Sequence, residues 1–111
     1  MSDCLFCKIA NGNGAKVFEN DEMVIIKDIS PQANKHYLVI PKEHFDDITE
    51  IAVKKPELLT RIFAVIAEKQ EELGLGGGFR LITNKGADGC QSVKHLHIHL
   101  LGGEKLSEKM G

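Results

Sequence analysis

No stretch of the 111-residue chain approaches the roughly 18 consecutive apolar residues that a membrane helix needs. Met1-Ser2-Asp3-Cys4 carries no basic segment followed by an apolar run, so no secretory signal is expected. Positive charge is not in surplus. The net charge is -2 with histidines neutral, so no global field draws polyanions and a nucleic-acid partner is not expected. Any phosphate must be held by a local site. Cysteines number three, an odd count. Without an export signal they read as thiols or metal ligands rather than a disulfide framework, which points to the cytoplasm. There is no internal repeat, no lysine–serine phosphate loop and no paired carboxylates. What remains is 42% hydrophobic and 27% charged, suited to one domain over residues 1–111 with an adequate core.

Local patterns predict an α+β domain. Residues 4–10 suit a short helix that breaks at Asn11-Gly12-Asn13-Gly14. Residues 16–19 and 23–27 read as a hairpin, and 36–40 as a third strand rich in β-formers. After Pro56, Leu58, Leu59, Ile62, Phe63, Ile66 and Leu73 recur at helical spacing, and Gly74 is placed to cap that helix. Residues 79–83 and 93–101 read as two more strands. Strands in runs around one long helix favour a mainly antiparallel sheet of about five strands.

The segment Lys94-His95-Leu96-His97-Ile98-His99-Leu100-Leu101 carries the chemistry. On a strand His95, His97 and His99 share one face, and Leu96, Ile98 and Leu100 the other. Successive imidazoles then stand roughly 6.5–7 Å apart at Cβ, near enough to meet one small ligand. A solvated polar face is one reading, but lysine or threonine would serve it equally well. A metal site is another, since histidine is the commonest metal ligand. The third is phosphoryl or nucleotidyl transfer on a nucleophilic imidazole, which is neutral at pH 7 because its ordinary pKa is about 6.5. The loop Asn84-Lys85-Gly86-Ala87-Asp88-Gly89-Cys90-Gln91-Ser92 runs directly into this segment. Its glycines and neutral donors make a credible phosphate cradle there.

His95-Leu96-His97-Ile98-His99-Leu100-Leu101 resembles the signature of the histidine triad (HIT) family. Asp28-Ile29-Ser30-Pro31-Gln32-Ala33, His36-Tyr37-Leu38-Val39-Ile40-Pro41-Lys42 and Asp88-Gly89-Cys90-Gln91-Ser92-Val93 resemble segments of its Hint branch, the nucleoside phosphoramidases. The similarity runs from Cys4 to Gly103. It implies a HIT-like fold that dimerises into a continuous sheet, and a purine nucleoside 5′-phosphoramidate hydrolase. By resemblance His97 is the nucleophile, His99 contacts phosphate oxygens with Asn84 and the backbone around Gln91, and Ser92 helps the leaving amine. His36 and His95 orient the cluster. Asp28 would accept the ribose hydroxyls, while Ile29, Phe6, Ile9 and Ile26 would line the base. A dinucleoside polyphosphate hydrolase and a nucleotide-binding module of low activity stand as alternatives.

Cys4-Leu5-Phe6-Cys7 is a Cys-x-x-Cys that needs a second ligand pair. Resemblance to bacterial relatives supplies His44 and His95, giving a structural zinc on Cys4, Cys7, His44 and His95. The chain also departs from the family pattern. Ile26 and Lys27 stand where aromatic or histidine residues are usual, Cys90 stands where glycine is common, and the tail 104–111 lacks tryptophan.

Overall fold

The computed structural model describes residues 4–110. Met1, Ser2 and Asp3, which bear on the expected lack of a signal, lie outside the described residues, as does Gly111. Five antiparallel strands form one sheet: β1 (Phe18–Glu19), β2 (Met23–Lys27), β3 (Lys35–Pro41), β4 (Phe79–Ile82) and β5 (Ile98–Gly102), in the order β1-β2-β3-β5-β4. Three helices accompany it: α1 (Leu5–Asn11), α2 (Ile48–Lys54) and α3 (Pro56–Lys69). The expected α+β architecture is present.

Alternation along the strands gives the sheet two apolar faces. Met23, Ile25, Tyr37, Val39, Ile98 and Leu100 meet Leu58, Ile62 and Ile66 of α3 in the main core. Burying each large aliphatic side chain there contributes about 1.5–3 kcal/mol. Val24, Leu38 and Ile40 point the other way, against Phe6 and Ala10 of α1. α3 ends at Lys69 with Gln70 at its C-cap, not at the expected Gly74, which instead closes the turn that follows. Gly74 has φ +77°, the Leu75 N–H donates to the Gln70 carbonyl (2.8 Å) and the Gly74 N–H to the Glu71 carbonyl (3.1 Å). The Tyr37 hydroxyl then donates to the Leu73 carbonyl (2.7 Å), fastening that end to β3.

Three further expectations are corrected. The last strand begins at Ile98, not residue 93; His95 and His97 lie on the segment leading into it. α2 was not expected from the sequence. Its start is held by Asp47, whose Oδ1 accepts from the N–H groups of Thr49 and Glu50, both at 3.0 Å. Phe63 shares the helical spacing of the α3 core, yet it is 44% exposed, because the buried stripe is narrower and centres on Leu58, Ile62 and Ile66.

Candidate active site and candidate metal centre

The triad divides between two neighbouring clusters. His95 is fully buried and turns toward the N-terminal helix, with its ring 4.8 Å from that of His44. Its Nε2–H donates to the Pro41 carbonyl at 2.9 Å, which leaves Nδ1 as a lone pair. That lone pair faces Cys4 Sγ at 3.2 Å and Cys7 Sγ at 3.3 Å. His44 repeats the arrangement. Its Nε2–H donates to the Asp46 carboxylate at 2.9 Å, and Nδ1 faces Cys7 Sγ at 3.1 Å. The short helix α1 holds both thiols, because Cys4 caps it and accepts the Cys7 N–H (3.2 Å).

Two sulfurs and two imidazole lone pairs therefore converge, all within 4.8 Å of one another. This is the donor set of a closed tetrahedral metal centre, and the Asp46 and Pro41 oxygens supply the outer hydrogen bonds that fix each ring. The two thiols differ in acidity. Burial works to raise Cys4, but hydrogen bonds with Cys7 and His44 outweigh it and hold that thiol below its ordinary value. Cys7 is pushed up to about 11 by burial and by its hydrogen bond with Cys4. Burial lowers the His95 imidazole, and the nearby His44 and His97 add to this against the Pro41 hydrogen bond.

His97 and His99 form the second cluster with His36. The His97 Nδ1–H donates to the His95 carbonyl at 2.9 Å, so Nε2 carries the free lone pair. Its own carbonyl accepts the Thr83 hydroxyl at 3.1 Å. The ring lies 4.7 Å from Phe6 and 5.2 Å from His99, between an apolar edge and a polar one.

His36, expected by resemblance to orient the cluster, is buried. Its Nδ1 accepts the Gln32 backbone N–H at 3.0 Å, so the proton resides on Nε2. That Nε2–H meets His99 Nδ1 at 2.9 Å, with the Asp28 carboxylate 3.4 Å away. His99 is thereby left with an N–H on Nε2, a donor for an anion. Burial lowers the His99 pKa, the charges of His97 and His36 lower it further, and Asp28 opposes them.

Asn84 joins His36 and His99 in lining a cleft of about 520 Å³. Phe6, Ile9 and Ile26 belong to the apolar cluster under α1. The remaining expected residues are placed differently. Ile29 is 98% exposed and packs on nothing. The Gln91 side chain is occupied, donating to the Asp46 (2.6 Å) and Val93 (3.1 Å) carbonyls and accepting the Gly86 N–H (2.9 Å). Ser92 is exposed and lines a separate cleft of about 460 Å³ with Cys4, His44 and Asp46. Asp46 went unnoticed in the sequence; its signal is a carboxylate two residues beyond His44. Thr83 and the Gln32 N–H gave none.

Comparison with known proteins bears on the family and the fold. The family model described as "Scavenger mRNA decapping enzyme C-term binding" matches residues 3–111. Protein HitA of Neisseria gonorrhoeae is 42% identical over 104 residues, covering 92% of this chain and 97% of its own. A histidine triad protein structure from Clostridium difficile is 42% identical with a TM-score of 0.91, over 99% of this chain and 98% of that one. A HIT family hydrolase from Legionella pneumophila is 39% identical with a TM-score of 0.89, over 98% and 100% of the two chains. The chain belongs to the histidine triad (HIT) family.

Proposed function

We propose that this chain is a hydrolase of purine nucleoside 5′-phosphoramidates, working as a two-fold dimer and releasing a nucleoside monophosphate and an amine. The relative from Legionella pneumophila, described as a hydrolase, supports the reaction class. The carrying observation is the His97 ring, whose Nδ1–H is spent on the His95 carbonyl so that Nε2 is a lone pair.

His97 Nε2 attacks phosphorus, and the Nε2–P bond forms as the P–N bond to the amine breaks. The departing nitrogen takes a proton and leaves as the amine. Water then adds to phosphorus, the Nε2–P bond breaks, and the monophosphate departs with His97 neutral again. Dividing one displacement into two is the gain of covalent catalysis. His99 Nε2–H and Asn84 hold the phosphoryl oxygens, and His36 holds His99 in the required tautomer. By the family resemblance Asp28 would accept the ribose hydroxyls, and Ile29, Phe6, Ile9 and Ile26 would line the base. His95 orients His97 through its carbonyl. By the family resemblance the backbone around Gln91 would contact the phosphate and Ser92 would assist the amine; Ser92 lines the neighbouring cleft with Cys4, His44 and Asp46.

Cys4, Cys7, His44 and His95 would hold a zinc ion, whose role when bound is structural: it ties α1 to the segment that carries the nucleophile. The lone-pair orientations support this donor set. Elemental analysis should find about one zinc per chain, with loss in Cys7→Ser; metal-free protein purified under reducing conditions would refute the centre.

Mass spectrometry of enzyme quenched during turnover of adenosine 5′-phosphoramidate tests the chemistry. A nucleotidyl adduct on His97 is expected. Full activity in His97→Ala, or an adduct confined to another residue, would overturn the assignment.

A further inference from the structure

β5 begins at Ile98, so His97 precedes the strand that carries His99. Its backbone is held by ties from outside that strand. The Leu96 N–H donates to the Phe45 carbonyl at 2.7 Å, and the His97 ring is bonded to the His95 carbonyl. The His97 carbonyl accepts the Thr83 hydroxyl at 3.1 Å. Among the described residues, outside the helices and strands, no other donor reaches that carbonyl.

Thr83 is the first residue past β4. Registered pairing ends with Ile82 opposite His99, and the same count carried on would set Asn84 opposite His97. The chain instead turns into the loop 84–92. That loop closes on itself: the Gln91 N–H donates to the Gly86 carbonyl at 3.0 Å, and the Gly86 N–H to the Gln91 side chain at 2.9 Å. Asn84 lies between this closure and Thr83, and it lines the cleft with His36 and His99. The backbone does not ask for a hydroxyl at residue 83. Valine has the same branched shape and suits extended chain equally well. What threonine adds is one donor, and it is spent on the His97 peptide.

We propose that Thr83 is a positioning residue, its hydroxyl fixing the spacing between the ring of His97 and the side chain of Asn84. This rests on the reading of His97 as the nucleophile and Asn84 as a phosphoryl-binding group. One residue serves both: its hydroxyl holds the peptide of the first, and its backbone leads directly into the second. Without the hydroxyl the His97 carbonyl loses that partner, and the peptide and ring can turn together. Substrate binds whether or not the ring is aligned, whereas attack on phosphorus needs the alignment. The loss should therefore fall on kcat rather than KM.

The test compares the full chain with Thr83→Val and Thr83→Ser on adenosine 5′-phosphoramidate. Thr83→Val should lower kcat about 3- to 10-fold, the range that one hydrogen bond spans, with KM within about twofold. Thr83→Ser keeps the donor and should bring kcat back to within about twofold of wild type. The pH profile of kcat should keep its shape in all three, because the hydroxyl holds a peptide and supplies no proton to the reaction. Thr83→Val should also cost less in an Asn84→Ala background, since the spacing matters only while both groups are present. A Thr83→Val kcat equal to wild type overturns the proposal, as does a loss that serine does not restore, a loss carried by KM, or strict additivity with Asn84→Ala. Nitrogen NMR of the imidazole rings gives a readout independent of turnover. Thr83→Val should shift or broaden the His97 signals while Thr83→Ser leaves them as in wild type, and unaltered His97 signals in Thr83→Val overturn the proposal. If the wild-type chain cleaves no phosphoramidate, the hydrolase reading falls, and the NMR comparison alone decides whether Thr83 positions His97.

Discussion

At the scale of single residues, the site is governed by where ring protons sit. A neutral imidazole has one donor and one acceptor, so committing one nitrogen decides the other. His97 commits Nδ1 to the His95 carbonyl, and His36 commits its own Nδ1 to the Gln32 N–H. The second commitment passes through the 2.9 Å contact to His99 and leaves a donor on its outer nitrogen. His36→Ala therefore should lower kcat on the order of 10²-fold, the lower end of what a positioned proton-handling group supplies. Its effect on KM should be small, and steady-state kinetics on an adenosine phosphoramidate would show the split. A kcat within threefold of wild type would mean that the tautomer of His99 is set by something else. The triad was legible because histidines alternating with aliphatics admit few readings. Its division was not: strand geometry treats the three rings alike, and only the tertiary fold brings Cys4, Cys7 and His44 against one of them.

At the scale of elements, the strands were legible because β-branched residues alternate with residues facing the other way, and each face found an apolar layer. α2 was not, because Ile48, Thr49, Ile51 and Val53 make a β-branched run that opposes helix propensity. Its signal lay in Asp47-Ile48-Thr49-Glu50, a capping residue followed three places later by a glutamate. The Asp47 carboxyl is held below its ordinary value by the Thr49 hydroxyl and the Glu50 N–H, against a smaller opposing effect of burial. Asp47→Ala should cost about 1 kcal/mol, measured by urea denaturation. It should also disturb the loop at residues 84–92, since Lys85 donates to Thr49 at 2.6 Å. α3 offers a contrast within one helix. Ile62→Ala should cost about 2–5 kcal/mol because Ile62 is fully buried, while Phe63→Ala, in dilute monomeric protein, should cost much less. Equal losses would mean that the core stripe has been misplaced.

At the scale of the whole molecule, two properties follow from what the fold buries and what it leaves uncovered. His99 is held below its ordinary value, so the unfolded chain binds its proton more readily. Stability should then decline as pH falls from about 6.5 toward the depressed native value. Urea midpoints at pH 7.5 and 5.5 should show a drop that is smaller in His99→Gln; an equal drop would assign the effect elsewhere. The second property concerns the edge of the sheet. β4 is outermost, and an outer strand leaves backbone donors and acceptors unpaired. On it, Leu81 is 40% exposed. On α3, Arg61 and Lys69 reach toward Glu22 and Phe18 at the β1–β2 side, so Phe63, on the opposite flank of that helix, lies toward β4. Pairing of β4 with its copy across a two-fold axis would join two sheets into one and cover both apolar side chains. Because β4 has only four residues, its hydrogen bonds alone are too few to hold a dimer, and the apolar flank must supply the rest. Leu81→Lys should therefore convert a dimer to a monomer at micromolar concentration in sedimentation velocity, with the fold retained by circular dichroism. A variant that remains dimeric would move the interface away from β4, and a wild-type chain that sediments as a monomer would remove it.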